Sequence, residues 1–98
     1  MRIISTSTLK KYYDVHSDAK DPLLHWVKVV SQAEWRNLAD IKTDFPSVDY
    51  VGNQHYVFNI KGNTHRLVVV VKFTPRFVFV RFVGTHAEYD KITDCSTL

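Results

Sequence analysis

The hydrophobic pattern changes halfway along the chain, and this change limits what the chain can fold into. From Val48 onward, four stretches with apolar residues at every second position predict β-strands, over residues 48–51, 56–60, 66–73 and 76–83. Only short turns separate these stretches, and short connections join neighbouring strands as antiparallel hairpins. The carboxyl-terminal half is therefore predicted to form an antiparallel sheet.

The amino-terminal half instead has helical spacing. Residues 2–5 predict a short edge strand, and a helix follows to about Val15. Asp21 and Pro22 predict the start of a second helix, because aspartate accepts hydrogen bonds from the first free amides and proline suits the first helical position. A third helical stretch ends at Phe45, since the residue before a proline avoids the helical region.

The turn lengths predict which strand residues share a face. A two-residue loop at Thr74 and Pro75 would give a nearly apolar face with Leu67, Val69, Val71, Phe73, Val78, Val80 and Phe82. The opposite, mixed face would hold Arg66, Val68, Val70, Lys72, Phe77, Phe79, Arg81 and Val83. A four-residue loop at 61–64 would add Tyr56, Phe58 and Ile60 to the apolar face and place Asn59 opposite Arg66 on the mixed face.

The amphipathic helices must cover the apolar face, because both surfaces are then hidden from water together. We therefore expect an α+β fold: amino-terminal helices on one face of a mainly antiparallel, four- to five-stranded sheet, with a short carboxyl-terminal helix. The 98 residues leave no room for a second core, so residues 1–98 are expected to form one domain. The mixed face would then be an open basic trough, since arginine and lysine are rarely buried unpaired.

Composition excludes several classes of protein. No stretch approaches the ~20 apolar residues of a membrane span, and the start lacks a secretory signal. A single cysteine, Cys95, rules out an internal disulfide framework and fits the cytoplasm. The histidines show no metal-ligand spacing, so no metal or other cofactor is expected. The net charge of +3 is a mild indication of a polyanionic partner.

The end of the last strand predicts a short closing helix. Thr85 followed three residues later by Glu88 is a capping-box pattern, which would start a helix at His86. Helix amino termini favour phosphate groups. His86 would thus lie at the end of the trough as a neutral imidazole suited to a general base, with Tyr89 on the same side of the helix.

Two segments resemble a known family. The run Tyr-Val-Phe-Asn-Ile-Lys-Gly-Asn at residues 56–63 is followed by Arg66-Leu67, and residues 83–90 read Val-Gly-Thr-His-Ala-Glu-Tyr-Asp. Together they resemble the HigB toxins of the RelE superfamily of bacterial toxin–antitoxin systems, and the order of elements agrees over essentially the whole chain. The resemblance implies a ribosome-dependent endonuclease that cleaves messenger RNA in the ribosomal A site without metal. It also implies inhibition by a HigA-like helix-turn-helix antitoxin, with operator DNA bound only through the antitoxin complex.

The resemblance also suggests site residues. Arg66 matches a catalytic arginine of RelE-like nucleases, His86 and Tyr89 match the terminal motif, and Lys61 and Asn63 match the turn that faces the RNA. From the chemistry, we assign His86 as base and Tyr89 as acid or orienting donor, with Arg66 and Lys61 neutralising phosphorane charge.

The chain departs from the better-known RelE type at two points. Asn59 stands where a lysine is expected, and His86 stands where that type has an arginine. The residues expected to bind RNA without taking part in the chemistry are Asn59, Asn63, Lys72, Arg81 and Lys91.

Other interpretations remain open from the sequence. His86 could be a surface histidine, Tyr89 a core aromatic, and Arg66 and Arg81 charges that guard a sheet edge. At the level of function, ParE-like proteins of the same superfamily poison DNA gyrase by binding alone. A third possibility is a non-catalytic module that binds RNA or the antitoxin.

Overall fold

The computed structural model describes residues 1–98 and confirms the α+β fold. The elements, in chain order, are β1 (Arg2–Ile4), α1 (Thr6–Val15), α2 (Lys20–Gln32), α3 (Leu38–Asp44), β2 (Asp49–Gly52), β3 (His55–Ile60), β4 (His65–Lys72), β5 (Phe77–Thr85) and α4 (His86–Asp90). Short 3-10 turns lie at Ser17–Ala19 and Cys95–Thr97. None of the helices combines the length and the apolar composition that crossing a bilayer requires.

The sheet has the strand order β1-β5-β4-β3-β2. Strands β2 to β5 form an antiparallel meander, as the short turns predict. The amino-terminal strand β1 adds to the other edge by pairing with β5 in parallel. The expected mainly antiparallel sheet is therefore confirmed, and its only parallel pair joins the two ends of the chain.

The start of α2 differs from the prediction. Asp21 was expected to cap this helix, but α2 begins at Lys20 and its N-cap is Ala19, whose side chain makes no capping hydrogen bond. The reason is the 3-10 turn Ser17–Ala19, which runs directly into the helix and places Asp21 and Pro22 inside the first turn. An aspartate there still stabilises the helix through its dipole.

The core lies between the helices and the predicted apolar face of the sheet. Leu23, Trp26 and Val30 of α2 are buried, as is Leu9 of α1. Phe58 of β3 is at the centre, with Trp26 edge-on to it at 5.6 Å between ring centroids. Trp35, which precedes α3, stacks on the same ring at 6.3 Å. Burial of this apolar area is the main force that holds helices to sheet.

The hairpin register is as predicted for most of its length, with one correction. Strands β3 and β4 pair with Asn59 opposite Arg66. Strands β4 and β5 are joined by residues 73–76, and they pair as expected up to Val69 opposite Val80; a β-bulge then leaves Arg81 unpaired. Beyond the bulge the faces are exchanged relative to the prediction. Phe82 lies on the mixed face opposite Val68, and Val83 packs against the core.

The mixed face is less open than the sequence indicates, because the carboxyl-terminal residues fold back along β2 and the start of β3. The Asn53 side-chain amide donates to the Ser96 carbonyl at 3.1 Å. The buried His55 ring lies 2.8 Å, through Nε2, from the Leu98 carbonyl oxygen. The mixed face is therefore covered along β2 and the start of β3, and its basic residues Arg66, Lys72 and Arg81 remain at least partly exposed.

Candidate active site at one end of the sheet

The turn between β3 and β4 forms one side of the candidate site. Its first two residues, Lys61 and Gly62, both have positive φ (52° and 65°), which lets the hairpin reverse tightly. Asn63 follows, and its Oδ1 accepts hydrogen bonds from Arg66 Nε at 3.1 Å and Nη2 at 2.6 Å. The Asn63 side chain thereby fixes the direction of the Arg66 guanidinium group.

Arg66 also lies against an aromatic ring. Its Cζ atom is 5.0 Å from the centroid of the Tyr89 ring, within the range of a cation–π interaction. Two predicted site residues, which lie on different elements, are therefore brought into contact. The guanidinium group keeps further N–H donors, in the planar arrangement that suits a phosphate group.

Helix α4 forms the other side of the site, and its predicted capping box is confirmed. Glu88 N–H donates to Thr85 Oγ1 at 3.2 Å, and Thr85 N–H donates to Glu88 Oε1 at 2.9 Å. The hydrogen bonds from Thr85 lower the pKa of the Glu88 carboxyl group. The helix is attached to the β3–β4 turn because His86 N–H donates to the Thr64 carbonyl oxygen at 3.0 Å.

The close approach of α4 to the sheet also depends on Gly84, which pairs with Arg66. A Cβ atom at this position would lie 2.6 Å from Cζ of the Phe82 ring and 3.3 Å from Cβ of Glu88. A larger residue would require the Phe82 ring to move and Glu88 to shift by a few tenths of an ångström, so glycine fits the passage from strand to helix without rearrangement.

The imidazole of His86 has one partnered nitrogen. Its Nδ1 is 2.9 Å from Asp90 Oδ2, and the side chain is 40% exposed. If Nδ1 carries the proton and donates it to Asp90, then Nε2 has a free lone pair and can accept a proton. Asp90 was not among the predicted site residues, although its i, i+4 spacing from His86 on a predicted helix could have indicated it.

The hydroxyl group of Tyr89 is partly shielded from water. It lies 3.7 Å from Cys95 Sγ. Burial raises the pKa of Tyr89, the contact with Cys95 acts in the same direction, and the positive charge of Arg66 opposes both. The Tyr89 hydroxyl group therefore keeps its proton at neutral pH, which a proton donor requires, although the raised pKa makes it a weaker acid. Cys95 is a neighbour of the site that the sequence did not indicate.

Lys61 does not join this group. Its Nζ atom lies 3.3 Å from Asp18 Oδ2, on the helical side of the sheet. The prediction grouped Lys61 with Arg66 because the resemblance places Lys61 in the turn that faces the RNA. The two residues are oriented differently because strand alternation ends at Ile60. The turn begins at Lys61 with a positive φ, and its side chain reaches Asp18, whereas Arg66 belongs to the mixed face.

The predicted RNA-binding residues are spread along the mixed face and α4. Asn59 lies opposite Arg66 in the sheet, and the Asn63 side chain accepts hydrogen bonds from the Arg66 guanidinium group. Lys72 and Arg81 line a cavity of about 360 Å³ further along the sheet, where Lys72 contacts Gln54 and Arg81 lies 5.8 Å from the Phe79 ring centroid. Lys91 is exposed at the carboxyl end of α4. No three His, Cys, Asp or Glu side chains are grouped so as to hold a metal ion.

Comparison with known proteins finds relatives that match nearly the whole chain. Residues 19–92 match the HigB_toxin family model, described as the RelE-like toxic component of a toxin–antitoxin system. The mRNA interferase toxin HigB of Escherichia coli (strain K12) is 32% identical over 96 residues, which cover 95% of this chain and 91% of that protein. The mRNA interferase HigB of Escherichia coli O6:H1 is 27% identical over 95 residues, covering 95% and 92%.

The family match covers most of the chain, and the relative from strain K12 is 32% identical over 95% of it. Both segments that resemble HigB toxins in the sequence lie within the matched residues. A toxic component of such a system has an antitoxin as its partner. The chain therefore belongs to the HigB family of RelE-like toxins of toxin–antitoxin systems.

Proposed function

We propose that this toxin is an mRNA interferase: an endoribonuclease that cuts messenger RNA in the ribosomal A site without metal. The observation that carries the proposal is the convergence at one end of the sheet. Arg66 is held between Asn63 and Tyr89, and the same short helix presents the His86–Asp90 pair. The names of the relatives, which are mRNA interferases, support the same conclusion.

The proposed reaction is transesterification within the RNA chain. Nε2 of His86 accepts the proton of a 2′-hydroxyl group, and the resulting oxygen attacks the adjacent phosphorus. The bond from phosphorus to the 5′-oxygen breaks, and the Tyr89 hydroxyl group donates a proton to that oxygen. The products are a 2′,3′-cyclic phosphate and a 5′-hydroxyl end, so atoms and charge balance without an added water molecule.

Arg66 would stabilise the charge that grows on the non-bridging oxygens during this reaction. Such preorganised charge is commonly the largest catalytic contribution, and Asn63 and Tyr89 already fix the guanidinium group in one direction. Lys61 could assist only after leaving Asp18, so we assign it to binding and orientation of the turn. Lys72, Arg81 and Lys91 would hold the RNA backbone through their charges.

The active site has few catalytic groups, and this agrees with a reaction that depends on the ribosome. A ribosome that holds the message in an in-line geometry would supply the positional part of the catalysis, which can be worth ~10⁵-fold or more. We also propose that the antitoxin is a helix-turn-helix protein, that operator DNA is bound only through the complex with it, and that the toxin acts in the cytoplasm.

The test is induced expression in bacteria, with 5′ ends mapped on a translated message and on a version whose start codon is removed. We expect new 5′-hydroxyl ends in the translated message alone. Cuts in both versions would contradict the ribosome dependence. Growth arrest without cuts would favour a toxin that acts by binding a target such as gyrase. If neither growth arrest nor cuts are seen, the protein is a non-catalytic binding module.

A further inference from the structure

A second group of polar side chains lies behind the β3–β4 turn, on the helical side of the sheet. The Tyr12 hydroxyl group is 2.6 Å from His65 Nδ1, and His65 Nε2 is 3.1 Å from Asp18 Oδ2. The same carboxylate oxygen accepts from Lys61 Nζ at 3.3 Å. This group, Tyr12, His65, Asp18 and Lys61, is called the rear network below. None of its first three members was indicated by the sequence.

The rear network is fully satisfied in one arrangement of protons. In one tautomer of His65, Tyr12 donates to its Nδ1 and its Nε2 donates to Asp18. His65 is only 2% exposed, so a lost partner would leave a buried nitrogen unpaired. The His16 ring stacks on Tyr12 at 4.3 Å between centroids and limits its movement.

The acid–base properties of the neighbours agree with this arrangement. The hydrogen bond from His65, helped by Lys61, lowers the pKa of Asp18, which therefore remains an acceptor. Burial raises the pKa of Tyr12 to about 12, so its hydroxyl group remains a donor at neutral pH.

The rear network holds the turn at both ends. Lys61 is the first residue of the turn, and His65 follows its last residue, Thr64. Between these two points, Asn63 directs the Arg66 guanidinium group and the Thr64 carbonyl oxygen accepts from the His86 amide. A shift of the turn would therefore displace both sides of the candidate active site at once.

We propose that Tyr12, Asp18 and His65 are positioning residues for RNA cleavage, acting through the β3–β4 turn on Arg66 and His86. This inference rests on the proposed function. Tyr12 lies on α1, Asp18 lies in the 3-10 turn before α2, and the His65 side chain faces both of them rather than the mixed face. The three residues would therefore act without contact to the RNA.

The test uses variants with neighbours as matched controls. Tyr12→Phe removes one hydroxyl group and keeps the ring, and Asp18→Ala removes the shared carboxylate. Tyr13→Phe and Asp14→Ala make the same changes one and four residues away, outside the rear network. The full-length proteins are compared in single-turnover cleavage on programmed ribosomes, and hydrogen exchange is measured at the His86 amide.

We expect Tyr12→Phe to lower the maximal cleavage rate about tenfold to a hundredfold, while the ribosome concentration for half-maximal rate changes little. Exchange at the His86 amide should become faster, and the controls should resemble wild type. In an Arg66→Ala background, Tyr12→Phe should cause a smaller further loss, because one of the two residues that it positions is absent.

Wild-type cleavage by Tyr12→Phe and Asp18→Ala would overturn the inference. So would an equal proportional loss with and without Arg66 when exchange at the His86 amide also stays at the wild-type rate, because the loss would then act through neither Arg66 nor His86. A wild-type protein that cuts no message would refute the proposed function instead. In that case unchanged exchange at His86 in both variants would show separately that the rear network does not hold the turn.

Discussion

At the scale of single residues, the candidate site combines groups that the sequence indicated with groups that it did not. His86, Tyr89 and Arg66 could be predicted, because a capping pattern and a strand period place them at one end of the sheet. Asp90 was missed although its i, i+4 spacing from His86 could have indicated the contact. Cys95 could not be assigned a contact, since its position depends on how the segment after α4 folds back. Lys61 was also expected at the site, but its side chain contacts Asp18 on the other side of the turn.

The role of His86 can be tested at this scale. His86→Ala should lower cleavage by about 10²- to 10⁴-fold, the usual contribution of a positioned base, and should abolish growth inhibition. The fold should be retained because the side chain is 40% exposed and its partner, Asp90, lies on the same short helix. The measurement is cleavage by purified protein together with its thermal unfolding. His25→Ala, at an exposed position on α2, is the control. A well-folded His86→Ala protein that still arrests growth would exclude this role.

At the scale of elements, strands and helices were predicted closely and one irregularity was missed. Turn lengths determined the β3–β4 register, so Asn59 and Arg66 were correctly paired. The bulge at Arg81 was not foreseen, because the strand pattern around it continues without glycine or proline. The extra residue exchanges the faces of Phe82 and Val83 and so sets how β5 enters α4.

Because of the bulge, we expect the fold to tolerate deletion of one strand residue, Arg81. Removing Arg81 would restore regular pairing and leave every later residue on its present face, because Arg81 is the unpaired residue. We expect its free energy of unfolding to stay within about 1 kcal/mol of wild type. Deleting Val69, which is buried on the opposing strand, should cost about 3 kcal/mol or more. Urea unfolding would measure the free energy of unfolding of both deletion variants. An equal loss of stability in the two would contradict the assignment of Arg81 as the unpaired residue of the bulge.

At the scale of the whole molecule, the layers were predictable and the polar links between them were not. The spacing of apolar residues in the helices and in the strands is sufficient to predict that the helices pack on the apolar face of the sheet. The rear network depends instead on individual side chains from α1 and from both ends of the β3–β4 turn. No pattern in the sequence reports such distant contacts. The same holds for the carboxyl-terminal residues that cover part of the mixed face.

Three shielded tyrosines predict how stability depends on pH. Burial raises the pKa of Tyr12 to about 12 and also raises the pKa values of Tyr56 and Tyr89. Above pH ~10 the unfolded chain loses these protons while the folded protein keeps them, so the free energy of unfolding falls as pH rises towards 12. Below pH ~10 the tyrosines contribute no pH dependence.

Replacing Tyr12 should therefore make the fall in the free energy of unfolding above pH ~10 less steep. The free energy of unfolding, measured in urea at about pH 9 and about pH 11, should fall less for Tyr12→Phe than for wild type. Tyr13→Phe serves as the control for loss of a neighbouring tyrosine. A decline in Tyr12→Phe as steep as that of wild type would show that the Tyr12 hydroxyl group is not the shielded one.

The parallel pairing of β1 with β5 also has a consequence for the order of folding. The meander from β2 to β5 closes through local hairpins, which form fast, whereas β1 must find β5 from the opposite end of the chain. The contacts of Asn63, Arg66 and His86 lie wholly within the local part. Catalytic groups would thus meet early, and closure by β1 and its attached helices would come late, as the step that locks them in place.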